Sequence, residues 1–225
     1  NVCAARVPIR RQQSGKRKNL QPRFFNIKNQ RDLKKKISGI LPGIRNRTMK
    51  TIDLNQDNLL TAIRIQNTIF PTHDATQNYM DSVDGTTDYQ YSLLYEEGIG
   101  YVGISGLYSL KSDPESAWLG WFGILEEYRR NHYGSEALRL FEQRAKDSGY
   151  RFCRVYTDRD NNEAAIRFYQ SSGYTFEEYE NPSDPSCFDY PVLIGTKSIC
   201  GKPAVPWNNR DMGFTRQIFK QTGWI

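Results

Sequence analysis

The sequence predicts an α/β fold, a mixed sheet with helices on both faces. Two observations carry that prediction. Strand-like and helix-like runs alternate through the middle of the chain, and antiparallel hairpins flank them. No internal repeat competes with this reading.

The elements follow in order from Met49. Lys50 to Leu54 predict a short strand, and Asn58 to Thr68 a helix whose Leu59, Leu60, Ile63 and Ile65 make an apolar face. Ala75 to Val83 predict a second helix. Tyr89 to Tyr95 and Tyr101 to Leu110 are aromatic, β-prone runs, and Glu96-Glu97-Gly98 between them suits a hairpin. Trp118 to Leu125 is a third such run, after a loop containing Asp113 and Pro114. A helix from about Gly134 to Ser148 carries Ala137, Leu138, Phe141 and Ala145 on one side, with Gly149 as its C-cap. Phe152 to Thr157 is a strand, and Glu163 to Ser172 a helix stopped by Gly173. Tyr174 to Tyr179 and Tyr190 to Thr196 are the last strands. Beyond Ile199 the chain reads as irregular, apart from a short helix around Phe214 to Lys220.

A chain of 225 residues supports one sizeable core with appendages. Its mean hydropathy of −0.71 is that of a soluble protein. It contains no apolar run near the ~20 residues of a membrane helix and no apolar stretch of a secretory signal at its start. Cys3, Cys153, Cys187 and Cys200 form no close pairs, which indicates neither a zinc site nor a disulfide framework and points to a reducing, cytoplasmic setting.

The net charge of +6 conceals two opposed parts. Of the 31 Lys/Arg, 14 lie in residues 1–48, whose only acidic residue is Asp32; the other 177 residues hold 17 Lys/Arg and 24 Asp/Glu. A basic leader of +13 thus precedes an acidic body of −7. The leader, with RRQQSGKRK at residues 10–18, has few apolar residues to offset its ordering entropy and reads as mostly disordered. Three accounts of it stand open. Met49 is the true initiator and the leader an artefact of the reading frame; the leader is an arm for nucleic acid or another anionic surface; or it is a mitochondrial presequence. The expected organisation is a leader over 1–48, a folded domain over 49–197 and a tail over 198–225.

Two segments carry the chemistry. Residues 124–138, ILEEYRRNHYGSEAL, lead from a strand through a basic, Gly-containing turn into a helix. Backbone N–H groups at such a helix start lack intrahelical partners, and the dipole there favours an anion. Arg129 and Arg130 add positive charge at the rim. Residues 161–174, NNEAAIRFYQSSGY, place Asn162, Ala165 and Tyr169 on one helix face, offering an amide, a small residue and a phenol.

Together these segments resemble the GNAT superfamily of acyl-CoA N-acyltransferases. The family pattern runs strand, Tyr-Arg-Gly-x-Gly-x-Gly, long helix, strand, then Asn-x-x-Ala-x-x-x-Tyr-x-x-x-Gly-aromatic. Tyr128, Arg129 and Gly134 match the first block, and Asn162, Ala165, Tyr169, Gly173 and Tyr174 match every position of the second. The match is good over roughly 118–180, and the order of elements extends it to about 50–196.

The resemblance implies a GNAT-like fold with a central mixed, mostly antiparallel sheet flanked by helices. It implies acetyl-CoA as co-substrate, no metal, and an acetyltransferase acting on a primary amine of a small molecule or protein. The turn Arg129, Arg130, Asn131, His132, Tyr133, Gly134 and Ser135 would hold the pyrophosphate. The strand ending at Ile124 would splay from the Phe152–Thr157 strand to admit the pantetheine arm. Asn162 and Ala165 would border that arm, Tyr169 would protonate the departing thiolate, and the Ile124 N–H would polarise the thioester carbonyl. Arg130 and His132 stand where the family has glycines, the residue that reaches positive φ and close backbone approach most freely. A non-catalytic acyl-CoA-binding module of the same fold is the alternative.

Glu126, Glu127, Asp113 and Glu115 are carboxylates near the expected site, none singled out as the base. The acidic body points to a cationic acceptor. Tyr108, Trp118, Trp121 and Phe122 are candidates for its pocket. The tail from Trp207 to Ile225 packs either on a neighbour, as in a homodimer, or back on its own domain.

Overall fold

The computed structural model describes residues 49–160, 162–180 and 191–207. The leader and the helix expected around Phe214 to Lys220 lie outside the described residues. In chain order the elements are β1 (Lys50–Asp53), α1 (Leu59–Ile69), α2 (Thr76–Asp84), β2 (Gln90–Glu96), β3 (Gly100–Leu110), β4 (Asp113–Leu119) and β5 (Gly123–Ile124). A 3-10 turn (Glu126–Tyr128) leads to α3 (Tyr133–Asp147), β6 (Phe152–Asp158), α4 (Glu163–Ser171), β7 (Thr175–Glu178) and β8 (Val192–Ser198).

The strands form one sheet in the order β1-β2-β3-β4-β6-β8-β7, with β5 on β3. Among the described residues only β4 and β6 run parallel; every other pair is antiparallel. The sheet is therefore mixed and mostly antiparallel, and α3 is the crossover that the one parallel pair requires. Side-chain alternation assigns the helices to opposite faces. Tyr91 and Leu93 on β2 pack with Ala62, Ile65 and Tyr79 of α1 and α2. On the other face of β2, Ser92 accepts a hydrogen bond from Arg144 of α3 at 2.8 Å, and Leu94 joins the core of Leu138 and Phe141.

One predicted element divides. The run Trp118 to Leu125 is not a continuous strand: its start belongs to β4 and its end to β5. Leu119 opposes Leu107 and Gly123 opposes Ile104, so four steps on one strand face three on the other. One residue is extra, and a bulge of this kind bends and re-aims a strand. Glycine makes the bend possible. The Tyr91 ring lies against the backbone of Gly106 and Gly120, where added Cβ atoms would sit 2.3 and 3.0 Å from ring carbon. Asp113 and Pro114, expected in a loop, begin β4; pairing with β6 starts only at Ser116, so the missing proline N–H interrupts no ladder bond there.

Below the bulge, β4 and β6 are tied by a buried polar cluster. Arg154 is 0% exposed, and its Nε donates to Asp113 Oδ2 at 2.7 Å and to Ser116 Oγ at 3.0 Å. Its Nη1 donates to Thr196 Oγ1 at 2.6 Å on β8, and its Nη2 to the Val205 carbonyl at 3.1 Å. The guanidinium also lies 5.2 Å from the Trp207 ring, which meets Trp118 edge-on at 4.9 Å. The start of the tail thus packs back on its own sheet. Residues 199–207 hold no helix or strand, as expected.

A charge buried this way is costly once its partner is lost. Asp113→Ala is expected to lower the unfolding free energy by about 3–5 kcal/mol in urea melts. The apolar double substitution Asp113→Leu with Arg154→Met should recover much of that loss.

Candidate active site

The ladder between β4 and β6 has three registered pairs, ending at Trp118 opposite Arg154. Beyond it the strands part. β5 pairs only with β3, while β6 continues to Asp158 against β8. The gap is the splay that the sequence resemblance implied.

Backbone alternation determines what the gap contains. The Leu125 N–H donates to the Val102 carbonyl at 2.9 Å, so Leu125 and Val102 form a hydrogen-bonded pair. Ile124 and Gly103, one step earlier, are then a non-hydrogen-bonded pair. The N–H and C=O of Ile124 consequently point away from β3, towards the gap. Its carbonyl accepts from Arg129 Nε at 3.0 Å.

A cleft of about 740 Å³ opens along this edge. Phe122, Ile124 and Glu126 line it from the strand side, and Ala164 and Phe168 from α4. Arg129, Arg130 and His132 line it from the turn, with Gly134 and Ser135 of α3. At that end the geometry suits an anion. Arg130 and His132 both have φ of 60°, the left-handed region that glycine enters freely. Two of the three glycine positions of the family pattern are therefore occupied by residues with side chains, while the backbone there keeps a left-handed conformation. His132 is the N-cap of α3, whose first-turn N–H groups have no intrahelical carbonyl. Arg130 and the helix dipole place positive potential at the same point. Asn131 Nδ2 donates to the Arg129 carbonyl at 3.0 Å and helps shape the turn.

Six of the expected site residues come together on the cleft wall: Ile124, Arg129, Arg130, His132, Gly134 and Ser135. The others stand elsewhere. Asn131 is on the exposed outside of the turn, and Tyr133 packs edge-on against Tyr128 at 6.1 Å. Asn162, Ala165 and Tyr169 form the core-facing stripe of α4, with Ala165 and Tyr169 both 0% exposed. The Tyr169 ring touches Phe168, Tyr174 and Phe176, and lies 6.5 Å from Phe122. Tyr169 sits directly behind the wall that Phe122 and Phe168 make.

Other expectations resolve in the same way. Phe122 borders this cleft, whereas Tyr108, Trp118 and Trp121 are buried core residues. Asp113 is committed to Arg154 and Glu115 to Arg151; of the remaining two, Glu126 lines the cleft and Glu127 does not. Sequence reasoning missed Ala164 and Phe168. They form an i, i+4 pair one residue before the matched stripe, and that spacing was the available signal. Among the described residues, no group of three or more His, Cys, Asp or Glu is placed to hold a metal ion. No helix among them is long and apolar enough to cross a membrane.

An opened strand edge with an anion-suited turn at its end defines a class, the GNAT acetyltransferase fold. The chain belongs to that family: the model for the acetyltransferase (GNAT) family matches residues 60–174. Among solved structures, the ribosomal-protein-S18-alanine N-acetyltransferase of Escherichia coli is similar at 15% identity and a TM-score of 0.55, over 69% of this chain and 96% of that one. NAA60 of Arabidopsis thaliana in complex with acetyl-CoA is similar at 15% identity and a TM-score of 0.56, over 68% and 100%. An aminoglycoside 6'-N-acetyltransferase complexed with coenzyme A is similar at 14% identity and a TM-score of 0.55, over 69% and 98%. Comparison with curated protein sequences finds no match.

The left-handed turn makes a measurable demand on residue type. A branched side chain at His132 is strained by about 1–3 kcal/mol, whereas glycine fits without strain. His132→Val should therefore unfold at clearly lower urea concentration than the parent, and His132→Gly should stay within about 1 kcal/mol of it.

Proposed function

We propose that the protein transfers an acetyl group from acetyl-CoA to a primary amine on a small molecule or a protein. One observation carries this reading: a single cleft joins an anion-suited helix N-terminus to the outward-facing backbone edge of Ile124. Acetyl-CoA, when bound, supplies an activated acyl thioester. The residues present fit its two ends, with positive charge and N–H groups for phosphate and a strand edge for the acyl arm.

The Arg130 to Ser135 turn holds the diphosphate, with Arg130 and His132 adding side-chain donors. The Ile124 N–H donates to the acyl oxygen as negative charge develops on it. Phe122 and Phe168 exclude water beside the sulfur. Tyr169, behind them, donates the proton that the departing thiolate takes up, and its approach requires the aromatic wall to yield when the arm enters. Glu126 is the carboxylate on the acceptor side of the wall, placed to attract a cationic amine. The −7 charge of residues 49–225 acts in the same sense over a longer range. The structural neighbours include enzymes named for a ribosomal-protein alanine and for an aminoglycoside, so this fold serves both protein and small-molecule acceptors.

Thiol release from acetyl-CoA across a panel of amines tests the proposal, and turnover with at least one amine is expected. A rise in melting temperature with acetyl-CoA but no turnover on any acceptor would instead indicate a binding module without catalysis. Tyr169→Phe should lower kcat by about 100-fold or more while keeping the acetyl-CoA-induced melting shift. Equal turnover in that variant would reduce Tyr169 to a packing role.

A further inference from the structure

We infer that Arg129 is a positioning residue for acyl transfer, holding the Ile124 carbonyl so that the strand edge beside the cleft favours an incoming oxygen at the Ile124 N–H. The inference rests on the acetyl-transfer reading above and concerns the same site. A basic residue beside a phosphate-binding turn would ordinarily be assigned to the phosphate by charge alone. The hydrogen bonding of Arg129 points elsewhere.

β5 has only two residues, with a bulge before it and the 3-10 turn after it. So short a strand has only its few pairings with β3 to orient its peptides. Its outer edge has no strand beside it, because β6 has already parted from β4. The 3-10 turn reverses the chain and delivers Arg129 back to that edge. Arg129 is anchored by its own N–H, which donates to the Glu126 carbonyl at 3.2 Å, and its backbone is extended at φ −63°, ψ 161°. From there its Nε donates to the Ile124 carbonyl, five residues earlier, at 3.0 Å.

The peptide plane joining Ile124 and Leu125 is therefore held at both ends. Arg129 Nε binds its oxygen, and its N–H, belonging to Leu125, donates to Val102. The Ile124 N–H belongs to the preceding peptide plane, across one Cα, so with this plane held only the φ and ψ of Ile124 itself are left to turn it. The edge otherwise offers a donor and an acceptor side by side, which suits an incoming amide in either of two registers. With one lone pair of that carbonyl taken by a cationic N–H, the edge favours an incoming oxygen over an incoming N–H. The guanidinium also leaves positive charge next to the point where that oxygen rests.

Bond counting separates this role from phosphate binding. Gln carries its Nε2 at the same number of bonds from Cα as the Nε of Arg, without the charge. Lys keeps the charge and puts a carbon at that place. Three variants, Arg129→Ala, Arg129→Gln and Arg129→Lys, are compared for kcat, KM for acetyl-CoA and CoA affinity at two salt concentrations. The Ile124 carbonyl carbon resonance is recorded in the ligand-free proteins. Arg129→Ala is expected to lower kcat by about 10- to 100-fold, as misplacement of a reacting group does, with CoA affinity changed by less than about threefold. Arg129→Gln should restore most of kcat and the parental carbonyl resonance, and Arg129→Lys neither.

The opposite pattern overturns the inference: CoA affinity lost in Ala and Gln alike, regained in Lys, and steeply salt-dependent, with kcat unchanged. An Ile124 carbonyl resonance that does not move in Arg129→Ala overturns it too. If the parent protein turns over no amine, acetyl transfer is withdrawn; the carbonyl resonance and the CoA affinities still decide whether Arg129 acts on the strand or on the phosphate.

Discussion

The site depends on a parallel ladder that lasts three residues and then ends. Below the break, Arg154 binds β4, β6 and β8 together from inside the sheet through Asp113, Ser116 and Thr196. Above it, the extra residue before Gly123 swings the chain onto β3 and away from β6. A sheet that stayed paired along its length would have no room for a ligand and no outward-facing peptide at Ile124. The buried ion pair secures the strands where they must stay together, and the bulge separates them where they must not.

The turn at the other end of the cleft shows how much of a motif lies in the backbone. Glycine is favoured at such places because it reaches positive φ without steric cost. Arg130 and His132 reach the same conformation with side chains attached, at φ 60° each. The local strain is borne by α3, whose N-terminus these residues start and whose Ala137, Leu138 and Phe141 are buried against the sheet. The exchange of glycines for a cation and an imidazole keeps the anion-suited shape and adds donors to it.

Much of the fold was legible beforehand, because amphipathic periodicity and β-prone runs are local properties. The strands, helices and their order follow from Leu59 to Ile65, from Ala137 to Ala145, and from the aromatic runs. The division of Trp118 to Leu125 into two strands was not legible. A bulge depends on the register with β3, and that register depends on the Tyr91 ring meeting Gly106 and Gly120 across the sheet. The roles of Asp113 and Glu115 were hidden likewise, since their arginine partners lie 41 and 36 residues further along the chain.

By itself the sequence determined the family blocks, the turn chemistry and the helix face that Asn162, Ala165 and Tyr169 share, because each rests on spacing within one segment. Only the tertiary structure decided which way that face turns. Periodicity relates residues of a helix to one another but says nothing of the helix's rotation against its neighbours. Here packing on Tyr174 and Phe176 turns Tyr169 inward and leaves Phe168 on the cleft. Packing likewise decided that Arg129 meets the Ile124 carbonyl, a contact set by where two backbone segments cross rather than by charge.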